Sequence, residues 1–264
     1  MPSFPFYKFS PSGNTTLFLL GAINSKSSEY CRLALLPETV PAEQCAMADI
    51  KNSRLQMGGG EFCANACRAF GAMLAMEEAP QQKTQKKEFK IHASGSSEPV
   101  HVIVQGHSPS WFVEAVFSLR GCQLKKLAPN AALLSLPGIT HLLLTDSPPD
   151  LAQLPRKANE LRKLHNLEEC EASGIVWWNE DGGALSILPH ISVPLSGTAM
   201  LESSCGSASL ALAFSLKEAT GRKNFIIRQP GGANLSISLL DNDKALLGGD
   251  VQLCAKGEIY LPDL

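Results

Sequence analysis

Gly58-Gly59-Gly60-Glu61-Phe62-Cys63-Ala64-Asn65-Ala66-Cys67-Arg68-Ala69-Phe70-Gly71-Ala72-Met73-Leu74-Ala75-Met76 decides the fold, because its design occurs twice. The second copy is Glu202-Ser203-Ser204-Cys205-Gly206-Ser207-Ala208-Ser209-Leu210-Ala211-Leu212-Ala213-Phe214-Ser215-Leu216. Each has a glutamate two or three residues before a cysteine and then runs on in small and apolar residues. Between Ser203 and Leu216 there is no charge, and between Phe62 and Met76 the only one is Arg68. A helix that is apolar on every side is buried on every side. The flanks repeat as well. Phe89–Gly95 leads into Val100–Val104, and Phe225–Gly232 into Leu235–Leu239, each reading as strand, glycine turn, strand. Pro11–Leu20 resembles Leu136–Leu144, a turn entering an apolar strand. These repeats predict an α+β protein of two pseudo-symmetric domains, each a curved sheet or barrel around one central helix. The N-terminal half is expected over residues 1–118 and the C-terminal half over 119–264, with the last residues free to return to the first half. Glu78 to Glu88 reads as a solvated connection, and Leu151 to Glu171 as an outer amphipathic helix.

Composition narrows the function classes. The 264 residues are 44% hydrophobic and 18% charged, enough apolar material for a core. Lys+Arg 23 against Asp+Glu 25 gives a net charge of -2. Nucleic-acid binding needs a cationic surplus, so none is expected. No apolar run reaches the roughly 18 residues of a membrane span, and Met1-Pro2-Ser3-Phe4-Pro5 does not open a secretory signal. A cytoplasmic protein with reduced thiols is the expectation. The eight cysteines contain no Cys-x-x-Cys pair, and Cys63-x-x-x-Cys67 has no second ligand pair nearby, so no metal is expected. Gly58-Gly59-Gly60 is not followed by the Gly-Lys-Ser/Thr of a phosphate loop; it reads as backbone left bare for a ligand.

Two cysteines at two helix N-termini point to proton chemistry. That end of a helix carries unpaired N–H groups and a partial positive charge, which favour a thiolate and attract a carboxylate. Inverting an amino-acid α-carbon needs a base on one face and an acid on the other. A thiolate and a thiol supply both and exchange roles in the reverse direction. Converging N–H groups stabilise the charge that develops on the substrate carboxylate. Such a scheme calls for no pyridoxal cofactor. Cys67 and Arg68 read as core, Arg68 needing a buried partner.

These features resemble the diaminopimelate epimerase-like family of cofactor-independent racemases and epimerases. Its Cys-Gly-Asn-Gly-x-Arg motif is similar to Cys63-Ala64-Asn65-Ala66-Cys67-Arg68, and its Cys-Gly-Thr/Ser-Gly motif to Cys205-Gly206-Ser207-Ala208. Its N-terminal Gly-Asn is similar to Gly13-Asn14, and its closing motif to Gly248–Ile259. The resemblance spans the chain in order. It implies catalysis by Cys63 and Cys205, and substrate binding by Asn14, Ala64, Asn65, His141, Gly206 and Ser207.

Departures from the family pattern separate this chain from diaminopimelate epimerases. Where those carry Glu-Arg-Gly, nine residues before the second cysteine, this chain has Ser196-Gly197-Thr198. Gly-Asn-Pro-His is here Gly138-Ile139-Thr140-His141, and Met57 stands where an Asn is usual. Gly59–Cys63 and Glu202–Ser207 instead resemble the histidine racemases that supply D-histidine to metallophores of the staphylopine kind. The branch implies an imidazole substrate, for which Glu61 or Glu202 could supply the carboxylate. Histidine racemisation is therefore the reading, with a small amino acid as the only ligand and a homodimer left open. Diaminopimelate epimerisation, a cysteine hydrolase using Cys63 and His141, and a non-catalytic binding homologue are the alternatives.

Overall fold

The computed structural model describes residues 1–78 and 84–264. They form two compact units: Met1–Val116 with Gly248–Leu264, and Phe117–Leu247. The closing residues Gly248–Leu264 thus group with the first unit, the return to the first half that the sequence reading allowed.

In the first unit, Ser12 (φ 53) and Gly13 (φ 99) take left-handed backbone, and the Asn14 N–H reaches Pro11 O at 3.2 Å. That turn sets β1 (Ser3–Pro11) antiparallel to β2 (Thr16–Leu20). Helix α1 (Ser27–Ala34) then crosses over, which allows β3 (Gln44–Asp49) to run parallel to β2. β4 (Arg54–Met57) returns antiparallel to β3. The chain enters α2 (Ala64–Glu78), and β5 (Thr84–Ala93) emerges parallel to β4. β6 (Val100–His107) and β7 (Ser110–Ser118) follow antiparallel. The chain's last strand, Lys244–Tyr260, lies beside β7 and pairs antiparallel with β1 from Ser3↔Tyr260 to Pro11↔Val251. The sheet thereby closes into an 8-strand barrel with no free edge.

Helix α2 is its axis. Every residue from Ala64 to Met76 is buried, as expected of a small-residue helix whose single charge is Arg68. Small side chains let the strands come close: a Cβ on Gly71 would lie 2.5 Å from Val102 Cγ1 on β6.

The second unit repeats the order. β8 (Gln123–Ala128), β9 (Ala131–Leu136) and β10 (Ile139–Leu144) are successive antiparallel strands. Helix α3 (Leu154–Leu164) crosses over to β11 (Ser173–Asp181), parallel to β10. β12 (Ala184–Val193) returns antiparallel and carries β13 (Thr198–Leu201) on one end. Helix α4 (Gly206–Thr220) is buried from Gly206 to Ala213 and stops at Gly221, whose left-handed backbone (φ 75) lets its N–H reach Lys217 O at 2.8 Å. β14 (Asn224–Arg228) runs parallel to β12, and β15 (Asn234–Leu240) antiparallel to β14. Hairpin, crossover helix, parallel strand, antiparallel strand, buried helix, parallel strand, antiparallel strand: both units follow this sequence of moves. The α+β fold of two alike domains, each a curved sheet around a helix, is therefore what the chain adopts.

Two local readings change, and one helix was not read from the sequence at all. Helix α1 has too short a periodic run to be seen in the sequence; its Cys31, Leu33 and Ala34 make it a lid on the barrel core. Helix α3 fills only the middle of Leu151–Glu171, starting beside Pro155, with Leu154 and Ala158 turned into the core. Within Glu78–Glu88, residues 79–83 lie outside the described residues. From Thr84 onward the stretch is β5, in which exposed Lys86, Glu88 and Lys90 alternate with less exposed Lys87 and Phe89. A strand wet on one face reads as polar, which hid it. Among the described residues no helix is long and apolar enough to cross a membrane.

Gly71→Ala pushes a methyl into a stiff β-branched side chain inside a full core. We expect it to cost about 1–3 kcal/mol of unfolding free energy in urea titration, the range for overpacked cores.

Candidate active site

In the first unit, Cys63 caps α2. Its carbonyl accepts the Cys67 N–H at 3.1 Å, and its Sγ accepts the Ala66 N–H at 3.4 Å. One of the orphan N–H groups of a buried helix end is thus satisfied by sulfur. From β3, Gln44 spans the same sulfur: its Nε2 lies 3.3 Å away, and its Oε1 accepts from the thiol at 3.4 Å. The amide is oriented by a chain. Asn14 donates from Nδ2 to the Glu43 carboxylate at 3.1 Å, leaving its Oδ1 to accept from Gln44 Nε2 at 2.6 Å. Thr16 Oγ1 accepts from Gln44 Nε2 as well, at 2.8 Å. Asn14 is therefore buried and reaches Cys63 through Gln44.

Deeper on α2, burial first and then the charge of Cys63 push the Cys67 thiol well above its ordinary range. Ala64 and Asn65 are buried in the first turn. Arg68 is fully buried and donates from Nη2 to Asn65 Oδ1 at 2.8 Å and to Ser12 Oγ at 3.2 Å. Burial pulls its pKa down to about 10.

Glu61 stands on the segment entering α2. Ser94 Oγ donates to its carbonyl at 2.9 Å, and Gly95 allows the contact, since a Cβ there would lie 2.4 Å from Phe62 N. The Glu61 carboxyl is raised above its usual range, chiefly by burial, while the Glu61 and Gly59 N–H groups pull it down. Its Oε2 is buried with no hydrogen-bond partner among the described residues. The glycine run before it serves the protein interior: a Cβ on Gly58 would press on Cys31 Cβ at 3.1 Å, and Gly60 has φ +75.

The second unit places Cys205 in the same way, as the cap of α4. The Ser209 N–H and Oγ donate to its carbonyl at 3.1 and 2.8 Å. Its own N–H donates to Gln229 Oε1 at 2.9 Å, and Gln229 Nε2 in turn donates to Ser209 Oγ and Ile227 O, both at 3.0 Å. Burial, and after it the Glu202 carboxylate, push the Cys205 thiol well up; the Ser207 hydroxyl and the Ala208 N–H act in the opposite direction. Ser207 Oγ lies 3.4 Å from Cys205 Sγ and 3.1 Å from His141 Nε2. His141 is fully buried, and that burial lowers its pKa to about 3, so the ring is neutral. Across the parallel pair, Gly174 makes its slot: a Cβ there would lie 2.1 Å from His141 Nδ1.

Each unit thus gathers its own share of the expected residues: Asn14, Glu61, Cys63, Ala64 and Asn65 in the first, His141, Glu202, Cys205, Gly206 and Ser207 in the second. The sequence missed Gln44, Gln229 and Gly174. A polar residue opening the apolar strand Gln44-Cys45-Ala46-Met47-Ala48 was the available signal for the first. The other two act through contacts that no spacing reveals.

The chain can be set beside known proteins on this basis. Its fold is shared with a hydroxyproline epimerase from Agrobacterium vitis bound to trans-4-hydroxy-L-proline (TM-score 0.62, 13% identity, 99% of this chain and 93% of that one). A predicted epimerase from Pseudomonas aeruginosa aligns with TM-score 0.69 at 12% identity over 98% of this chain and 100% of that one. In sequence, it is 30% identical to a histidine racemase from one strain of Fusobacterium nucleatum subsp. nucleatum, over 97% of this chain and 96% of that protein. It is 28% identical to a histidine racemase from a second strain, over 97% of both. The fold and these relatives define an isomerase of the amino-acid racemase class. Residues 3–260 match the family described as the histidine racemase CntK N-terminal domain, and the chain belongs to that family.

The neutral buried histidines make stability depend on pH. His190 is lowered to about 4, by burial first and then by Arg162, which donates to its ring at 3.0 Å. A histidine depressed in the folded state takes up its proton preferentially on unfolding. Its stabilising contribution is complete above about pH 6.5 and is lost as pH falls toward the folded values. His141→Gln removes one of these protons. Urea titrations across pH 7 to 4 should show its unfolding free energy falling less steeply than that of the wild type, by up to about 1.4 kcal/mol per pH unit.

Proposed function

We propose that the chain interconverts L- and D-histidine without a cofactor, with Cys63 and Cys205 as the acid and base. One observation supports this most. In each unit a cysteine caps a buried, nearly uncharged helix, and in the first the Cys63 sulfur accepts the Ala66 N–H at 3.4 Å. A structural thiol needs no such partner. A thiol that alternates with thiolate does, because the helix end stabilises the charged form.

In this scheme one sulfur removes the α-proton as base and the other delivers a proton to the opposite face. The carboxylate gathers charge as the α-carbon becomes planar. The first N–H groups of the two helices, at Ala64 and Asn65 and at Gly206 and Ser207, are the donors suited to that charge. Gly206 and Ser207 open the α4 turn, Ala64 and Asn65 that of α2. The imidazole is assigned to a carboxylate. Glu61 is the better candidate of the two glutamates, because its buried Oε2 lacks a partner among the described residues, whereas Glu202 interacts with Cys205. The small amino acid is the only ligand this reading requires. Reduced thiols suit a cytoplasmic setting, and a homodimer is compatible with the scheme.

α-Proton loss followed by NMR in deuterated water, with a chiral assay alongside, tests the reading on L- and D-histidine and on diaminopimelate. Exchange with inversion on histidine is expected; exchange on diaminopimelate alone overturns the substrate assignment. Cys63→Ser and Cys205→Ser are each expected to lower the rate by about 10²-fold or more while leaving the far-UV circular dichroism unchanged. Full activity in either variant overturns the two-thiol scheme.

A further inference from the structure

Near its end, helix α3 turns a guanidinium onto the sheet beneath it. Arg162 is only 4% exposed. Its Nε donates to Ser173 Oγ at 3.1 Å, its Nη1 to Asn159 Oδ1 at 3.1 Å, and its Nη2 to His190 O at 2.7 Å and Ser173 O at 3.4 Å. Nη2 also lies 3.0 Å from Nδ1 of the neutral His190 ring. All of these partners are uncharged. Among the described residues no carboxylate lies within ion-pair distance of Arg162. A guanidinium has five N–H groups, and Nη1, with one acceptor for its two, has one left over. It also keeps its charge at any physiological pH, so Arg162 is a buried cation without its anion.

The end of α3 does not supply the missing charge. The carbonyls of Leu161, Arg162 and Lys163 already accept the N–H groups of His165, Leu167 and Asn166, at 3.1, 2.9 and 3.2 Å. The helix dipole adds no more than about half a negative charge there.

Beside Arg162 the second unit has open space instead. A cavity of about 330 Å³ is lined by Arg162 and Lys163, by the amide of Asn159 and by Ser173 and Ser192. That size is at the low end of the roughly 300–1,000 Å³ of small-molecule sites. Lys163 is exposed and makes no ion pair among the described residues. The Asn159 Oδ1 is taken by Arg162, which leaves its amide hydrogens as donors. One carboxylate, that of the exposed Glu168, stands on the wall and opposes an anion. Two cations, a spare guanidinium N–H, an amide and a hydroxyl outweigh it. Such a donor set matches an oxyanion with several acceptor oxygens.

We propose that this cavity is a phosphate-binding site, in which a phosphate group is the counter-ion of Arg162 and takes further hydrogen bonds from Lys163, Asn159 and Ser192. The phosphate is either the free ion or the end of a small ester, for which the cavity leaves room. Ser173 and Gly174 are consecutive in β11 and therefore face opposite sides of the sheet. Arg162 bonds to Ser173 on one side, and the ring of His141 packs against Gly174 on the other. The site thus lies behind His141, across one layer of sheet, and it does not depend on the racemase reading.

The test uses the full-length protein in a phosphate-free buffer near neutral pH, at constant ionic strength. Inorganic phosphate is titrated by calorimetry against sodium chloride as the control. Saturable binding of phosphate alone is expected, with a Tm raised by about 2 °C or more near saturation. Lys163→Ala should weaken Kd about tenfold and Ser192→Ala about threefold. Glu168→Gln should tighten it about twofold, because it removes the opposing charge. These three positions are exposed or half-buried, so the variants are expected to fold. Arg162→Met should abolish binding; if it does not fold, the other three decide. Absence of saturable binding overturns the proposal, as does a Kd that Lys163→Ala and Glu168→Gln leave unmoved. Displacement of phosphate by L-histidine also overturns it, since the ion would then sit at the helix ends of the capping cysteines. Glycerol 3-phosphate, titrated alongside, separates the sources: tighter binding than phosphate assigns an ester, weaker binding the free ion, and both support the site. A protein that binds phosphate as expected but exchanges no α-proton would strike the racemase reading alone, so the two failures are distinct.

Discussion

A helix enclosed by strands has no water at its first turn, so its leading N–H groups need acceptors from the protein itself. Most helices use a hydroxyl or carboxylate side chain at that position. Here both buried helices begin at a cysteine, Cys63 before α2 with its sulfur accepting the Ala66 N–H, and Cys205 before α4. At Cys63 the contact that satisfies the helix end also sets an N–H against the sulfur. Structural need and chemistry meet in one contact, and the rest of each unit is arranged to protect it.

That protection differs in kind between the two units. Gln44 presents both ends of its amide to Cys63, so either protonation state of the sulfur finds a partner. Its orientation is passed down from Glu43 through Asn14, a chain of acceptor-only and two-sided groups in which each member leaves the next one choice. Cys205 is held by its backbone instead, through Gln229 and Ser209, with Ser207 between the sulfur and a neutral His141. The first setting is polar, with the Glu43 carboxylate at the far end of the chain and the cysteine partly exposed; in the second the cysteine is buried. Two units with one topology thus give their capping cysteines unequal surroundings.

Much of this is legible along the chain. Uncharged runs after Cys63 and Cys205, strand–turn–strand flanks and hairpin turns are local patterns, and local patterns report helices and strands. Elements whose identity depends on partners escaped. Helix α1 is too short to show a period. The polar face of β5 disguised it as a connection. The glycines at 58 and 174 look alike in sequence, yet one gives way to Cys31 and the other to the ring of His141.

The sequence by itself determined the repeat, the two buried helices and the two capping cysteines, because a run of small and apolar residues with at most one charge is satisfied by burial and its ends are marked in the residues. Tertiary structure alone decided that the last strand closes the first barrel against β1, and that Gln44, from a different strand, meets the sulfur of Cys63. Strand pairing between ends of a chain and side-chain contact across a sheet depend on which backbone N–H and C=O groups remain unpaired once the rest has folded. No residue carries that information until its neighbours in space are in place.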